Sequence, residues 1–336
     1  MENPVLAEVT RGHLVESEHR GAIAVVDADG HPRLVVGTIG RPVFPRSAVK
    51  VLQAIPLIET GAAEAFGFGD AELALACSSH SGELRHVRTA AAMLERAGLM
   101  ADALECGAHA PIAEKAAVAI WAAGLAPSSL HNNCSGKHAG MLATARHLGE
   151  ATAGYVAPGH PVQQRIAAVL TDFTGAPLEE SQCGIDGCSV PTWAIPIAAL
   201  AKAFAILAAG TSKAHGAAGR RLLAAGMAEP FMVAGSRRLD TEVMTLLRGR
   251  VFIKTGAEGV YCGAIPGTAL GLALKIDDGA GRAAEMVLAN VLGRLLPGTD
   301  AALAPFLAPE TRNVCGIPSG RVQPAPALLR ALDALT

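Results

Sequence analysis

The sequence predicts an α+β fold. An antiparallel sheet takes strands from both chain ends and is flanked by helices, and a central lobe is mostly helical. Three observations point there. β-branched runs bounded by turn residues occur before Gly37 and again from Arg250 onward. Apolar segments with helical spacing, many of them closed by glycine, fill the middle. No repeat, low-complexity linker or run of like charges separates these parts. Residues 1–60 and 235–336 are therefore expected to form the sheet lobe and residues 61–234 the helical one, as one continuous unit.

Each element has a local reason. Val5 to Val15 reads as a strand leading to Gly21–Val26, and Asp27-Ala28-Asp29-Gly30 turns the chain into Arg33–Gly37. Phe44 to Ile55 reads as the opening of a buried helix, with Pro45 in its first turn, apolar residues on almost every face, and an end near Gly61. Asp70 can cap a helix through Ala76. Further helices are expected at Leu84–Arg96, Ala113–Ala123, Lys137–Leu148, Pro161–Phe173, Pro196–Ala209 and Lys213–Met227. Strands resume at Arg250–Gly256, Gly259–Ile265 and Ala269–Ile276. A helix at Gly281–Leu296 and a last strand at Arg312–Val322 complete the chain.

Composition narrows the function. Of 336 residues, 51% are hydrophobic and 17% charged, enough for a sizeable core. Aromatics are only 4%, so Ala, Val and Leu must fill it. A formal net charge of -2 offers no basic field to nucleic acid and no polybasic anchor to a membrane. The N-terminus lacks a charged-then-apolar leader pattern, and the apolar run Trp193–Gly210 is interrupted by Pro196 and Lys202. Seven cysteines without such a leader suit a reducing cytoplasm, where thiols stay free or bind metal.

Two constellations carry chemistry. Ser47 and Lys50 lie at i and i+3, on one helix face. A serine needs a base, and a buried lysine becomes one when it loses its proton. This S-x-x-K spacing, with Lys254-Thr255-Gly256 closing a predicted strand, matches the first and third motifs of serine β-lactamases. Ser78-Ser79-His80 falls between them, where those enzymes carry a second serine motif. The second constellation is Cys134 and Lys137 at a helix start, with Cys183 and Cys188 flanking Asp186. Spacing alone leaves a zinc set and inert buried thiols both open. Cys77, Cys106, Cys262 and Cys315 read as core.

Together the motifs resemble one family, the rhizobial-type L-asparaginases, also called asparaginase II or class 3. The resemblance covers nearly the whole chain. It rests on F-P-R-S-x-x-K at Phe44–Lys50, C-S-S-H-S-G-E at Cys77–Glu83, H-N-N-C-S-G-K-H at His131–His138, D-G-C at Asp186–Cys188, and K-x-G-A-E-G at Lys254–Gly259. It implies the serine β-lactamase and glutaminase fold, a homodimer, and hydrolysis of L-asparagine through two Ser–Lys pairs. Ser47 would be the nucleophile beside Lys50, and Ser79 the second serine with Lys254 as partner. Zinc would be held by Cys134, Lys137 and Cys188 with Asp186 near its water, aiding binding more than chemistry. Arg46, whose fork matches a carboxylate, His80 and Asp186 are the candidates for substrate contact. A β-lactamase or D-Ala peptidase, and a zinc-dependent metabolite-binding protein without catalysis, are the alternatives.

Overall fold

The computed structural model describes residues 2–335. The chain divides into two compact units. The first takes the segments up to Ala48, Ile195–Ala209 and from Thr255 onward, and the second takes Val49–Ala194 and Gly210–Lys254.

The first unit is built on an antiparallel sheet. From one edge inward its strands run Glu310–Arg312, Pro318–Pro324, Val5–Arg11, Leu14–Val26, Leu270–Ile276 and Val260–Ile265, with Pro32–Val36 also paired to Leu14–Val26. Register is set by apolar pairs such as Leu272 opposite Val25 and Leu274 opposite Ile23. Leu14–Val26 is exposed along its first half, then buried without a break from Gly21 to Val26. A strand buried on both of its alternating sides is covered on both faces. The helix Ile197–Ala209 packs on strands Leu270–Ile276 and Leu14–Val26, and Gly281–Leu295 packs on Pro318–Pro324, Val5–Arg11 and Leu270–Ile276. Gly271 permits the first contact, because a Cβ there would meet Ala201 O and Ala205 N at 2.1 Å.

The second unit is helical. Its centre is Ser135–His147, buried at every residue from Ser135 to Ala145. A helix apolar on all sides needs neighbours on all sides, and it packs against Leu84–Arg96, Asp70–Ala76 and Pro161–Thr174. Gly136 lets it approach the Asp70–Ala76 helix, where a Cβ would stand 2.4 Å from Leu75 O.

Several local expectations need correcting. The Val5–Val15 strand is cut by a turn at Gly12-His13, where Gly12 has φ 57 and its N–H bonds Ser319 O. The helix from Ser47 is a succession of short pieces, a 3-10 turn at Arg46–Val49, then Lys50–Gln53 and Ile55–Glu59. Pro56 has no N–H to return to Leu52, which accounts for the break at Ala54. The strand expected at Arg312–Val322 is a hairpin, whose turn is held by Asn313 Oδ1 accepting from the N–H groups of Cys315 and Ile317. Cys315 is consequently exposed rather than core. Helices at Leu239–Leu247, Asp300–Leu307 and Pro326–Asp333 were not foreseen. Among the described residues, no helix is long and apolar enough to cross a membrane.

Candidate functional site

Most of the motif residues lie in the helical unit. Cys77–Glu83 leaves the Asp70–Ala76 helix as an extended, buried segment. Burial obliges its polar groups to find partners. The N–H of Ser79 bonds Val233 O, that of His80 bonds Asn133 O, and Ser81 Oγ donates to Ala234 O. Glu83 accepts from both the backbone and the hydroxyl of Ser236. His80 Nδ1 accepts from the Gly82 N–H, so Nε2 carries the proton and donates to Ser135 Oγ at 2.8 Å. Burial, with nearby His86 and Lys50, holds this imidazole well below its ordinary pKa. Both ring nitrogens are spent within the protein. His80 therefore splints two motif loops, which corrects its expected contact with substrate.

Lys50 is fully buried, as its apolar helix predicts, but its amine is not in apolar surroundings. Nζ bonds Ser78 O at 2.6 Å, Ser79 Oγ at 3.0 Å and Cys134 Sγ at 3.1 Å. The structure thus gathers S-x-x-K, the second serine motif and C-x-x-K around one nitrogen. Ser79 Oγ, the expected partner of Lys254, accepts a hydrogen bond from Lys50 Nζ.

Cys134 is the N-cap of the Ser135–His147 helix and is buried. Its thiol lies well below the ordinary range, first through a hydrogen bond from Cys188 and then through the charges of Lys50 and Lys137, which outweigh burial. Cys188 is pushed up by the same bond. Of the two thiols, Cys134 is therefore the one that gives up its proton more readily. Lys137 Nζ bonds Cys188 Sγ at 3.0 Å. Burial pushes this amine down, but Cys188 and Cys134 outweigh it and raise it. Asp186 shapes the loop that delivers Cys188. Its N–H bonds Val190 O, its carbonyl accepts from the Ser189 N–H, and Oδ2 lies 3.8 Å from Cys188 Sγ. Two sulfurs and one amine converging in a buried pocket, with a carboxylate beside them, are a donor set that fits tetrahedral Zn²⁺ with one position left open. Cys183 is half-buried, and its thiol reaches Gly184 O at 3.6 Å. Another metal-like group, Asp27, Asp29 and His31, sits in the exposed strand turn. There Asp27 Oδ1 accepts from the N–H groups of Asp29 and His31, the ordinary work of a turn aspartate.

Lys254 is fully buried, and its Nζ lies 4.0 Å from Oδ1 of Asp240, also fully buried. Burial brings the amine down to about 7, with Asp240 opposing and Lys50 and Arg238 assisting. Arg238 also reaches Ser79 O at 3.4 Å. Sequence reasoning missed Asp240, because it belongs to none of the motifs and its helix was itself not foreseen.

Ser47 sits half-buried in the Arg46–Val49 turn, which the first unit carries as far as Ala48. Arg46 has φ 48, a left-handed conformation unusual for a non-glycine residue. Such strain collects at functional turns. The Ala48 N–H closes the turn on Pro45 O. Gly256, at the end of the K-T-G strand, lies so close that a Cβ there would stand 2.3 Å from Pro45 O. In the first unit the third motif thus abuts the serine turn through a residue with no side chain.

The sequence profile of the family described as L-asparaginase II matches residues 7–324. A search of curated proteins gives no match. Among solved structures, one described as "Crystal Structure Analysis of Mglu" is 17% identical with a TM-score of 0.33, over 82% of this chain and 66% of that one. The present chain therefore spans just under two thirds of that structure's own length. A second, Mglu in its native form in the presence of 4.3M NaCl, is 15% identical with a TM-score of 0.34, over 90% of this chain and 78% of that one. With its profile match running nearly end to end, the chain belongs to the L-asparaginase II family.

Proposed function

We propose that the protein hydrolyses the side-chain amide of L-asparagine to L-aspartate and ammonia through an acyl-enzyme on Ser47. The observation that supports this most directly is the Lys50 amine, buried and bonded to Ser79 Oγ and Cys134 Sγ. Lys50 follows Ser47 by three residues in the sequence. In its neutral form it takes the Ser47 proton as Oγ attacks the amide carbon. The Ser47 N–H is the candidate oxyanion donor, since that of Ala48 is engaged by Pro45. Lys254 gives a proton to the departing nitrogen, with Ser79 as relay, and the C–N bond breaks to release ammonia. Water then attacks the ester and gives one proton to Lys254. Lys50 returns its proton to the departing Ser47 oxygen, so both amines regain their starting state. Arg46 reads the substrate carboxylate, which its guanidinium fork matches.

Cys134, Lys137 and Cys188 would hold Zn²⁺, with Asp186 beside it. A bound zinc supplies a Lewis-acidic contact that helps seat the polar end of the substrate.

The test has two arms. Ammonia release is measured from asparagine and from glutamine, with and without a chelator. Mass spectrometry of the enzyme with a slow amide substrate should add the acyl mass to the peptide holding Ser47. An unmodified peptide, together with an active Ser47→Ala variant, eliminates this mechanism.

A further inference from the structure

Asp240 stands in the first turn of the Leu239–Leu247 helix and is fully buried. A carboxylate in that position gains a little from the helix N-terminus. That gain is small against the desolvation of a buried charge, which is tolerated only with a compensating partner. The cation at hand is Lys254, whose Nζ lies 4.0 Å from Oδ1. This exceeds the reach of a direct N–H···O bond. At this separation Asp240 acts on the amine through its charge.

We infer that Asp240 is the positioning residue of Lys254: a buried counter-charge that keeps the amine in place and keeps it protonated until the leaving nitrogen needs the proton. The inference rests on the role proposed above for Lys254.

Burial lowers this amine most, and four charged or titratable groups bear on it. Asp240 and Cys134 favour its charge, Lys50 and Arg238 oppose it, and the buried thiol of Cys77 senses it. The outcome is an amine at about 7, where a general acid combines availability with driving force. The sign for a variant follows. Removing the Asp240 charge removes the larger of the two favourable influences, so Lys254 loses its proton at lower pH. A step that needs protonated Lys254 then fails earlier as pH rises.

The test is the pH profile of kcat for asparagine hydrolysis in wild type, D240N and D240E. In D240N the alkaline limb is expected at least one pH unit below that of wild type, and in D240E it returns to within a few tenths of a unit. A purely structural aspartate would lower kcat evenly at every pH and leave the limb in place, which overturns the inference. A wild-type enzyme that releases no ammonia would sink the hydrolytic reading instead. The pair is then judged without substrate, from Tm in D240N, K254M and the double variant. Coupled partners leave the double variant less destabilised than the two single losses combined, whereas additive losses reject the pair. Should D240N not fold, recovery of folding in D240N/K254M supports the pair, and continued failure rejects it.

Discussion

Lys137 and Lys254 are both buried in the helical unit, yet their amines are driven in opposite directions. Burial pushes both toward neutrality. Lys137 meets Cys188 Sγ at 3.0 Å and also feels Cys134, and these overcome the burial. Lys254 meets a carboxylate at 4.0 Å and two other cations, and ends at about 7. Burial alone therefore does not decide what a lysine does. The distance and sign of the nearest charges decide it. One amine is held protonated among soft donors and would ligate a metal only on giving up that proton. The other is poised, where it suits proton transfer.

The largest expected effect breaks the poised side. Lys254→Met should lower kcat by about 10²–10⁴-fold, the usual worth of a positioned acid or base, with KM little changed. Steady-state kinetics on asparagine measure it. A KM effect alone would mean that Lys254 binds rather than reacts. The fixed side should respond in the other parameter. Lys137→Met or Cys188→Ser should abolish stoichiometric zinc and raise KM, while kcat stays within a few-fold of wild type. Metal analysis paired with kinetics reads both, and a collapse of kcat would place the metal in the chemistry.

The pH profile sharpens the comparison further. Lys254 is lowered to about 7, and its proposed role needs the proton. The kcat of wild type should therefore fall as pH rises through about 7. Lys137→Met should leave that limb where it is, because Lys137 is not among the charges that act on Lys254. A limb that moved with Lys137 would join the two clusters into one titrating system.

How far this was legible in the sequence depends on how local each feature is. Leu84–Arg96 was expected and found with the same bounds, because its apolar spacing and closing glycine are properties of the segment itself. Asp300–Leu307 was missed because Pro305 argues against a helix there, although the proline is tolerated near the end of a short one. The candidate site divides in the same way. Ser47, Lys50, Cys134 and Lys137 announce themselves through i, i+3 spacing. Cys188 is marked by its place in the Asp186 loop. The contact of Asp240 with Lys254 crosses two elements with no shared spacing, and nothing in the sequence says that the aspartate is buried. His80 shows the converse. Its motif suggests chemistry, but both nitrogens are committed to Gly82 and Ser135, a fact visible only in three dimensions.

The smallest effect tests the edge of the fixed cluster. Asp186 Oδ2 lies 3.8 Å from Cys188 Sγ, and the backbone of Asp186 closes the loop that presents this thiol. Asp186→Asn preserves shape and removes charge, so the loop should persist and the thiols should still bind. Carboxylates just outside a ligand set typically govern metal affinity by about 10–100-fold. Zinc affinity of Asp186→Asn, from competition with a chromogenic chelator, should fall within that range with Tm unchanged. If Asp186 instead contacts substrate directly, asparagine KM will rise even at saturating zinc. The two readings of this residue separate on that measurement, because zinc excess repairs a weakened metal site and cannot replace a lost substrate contact.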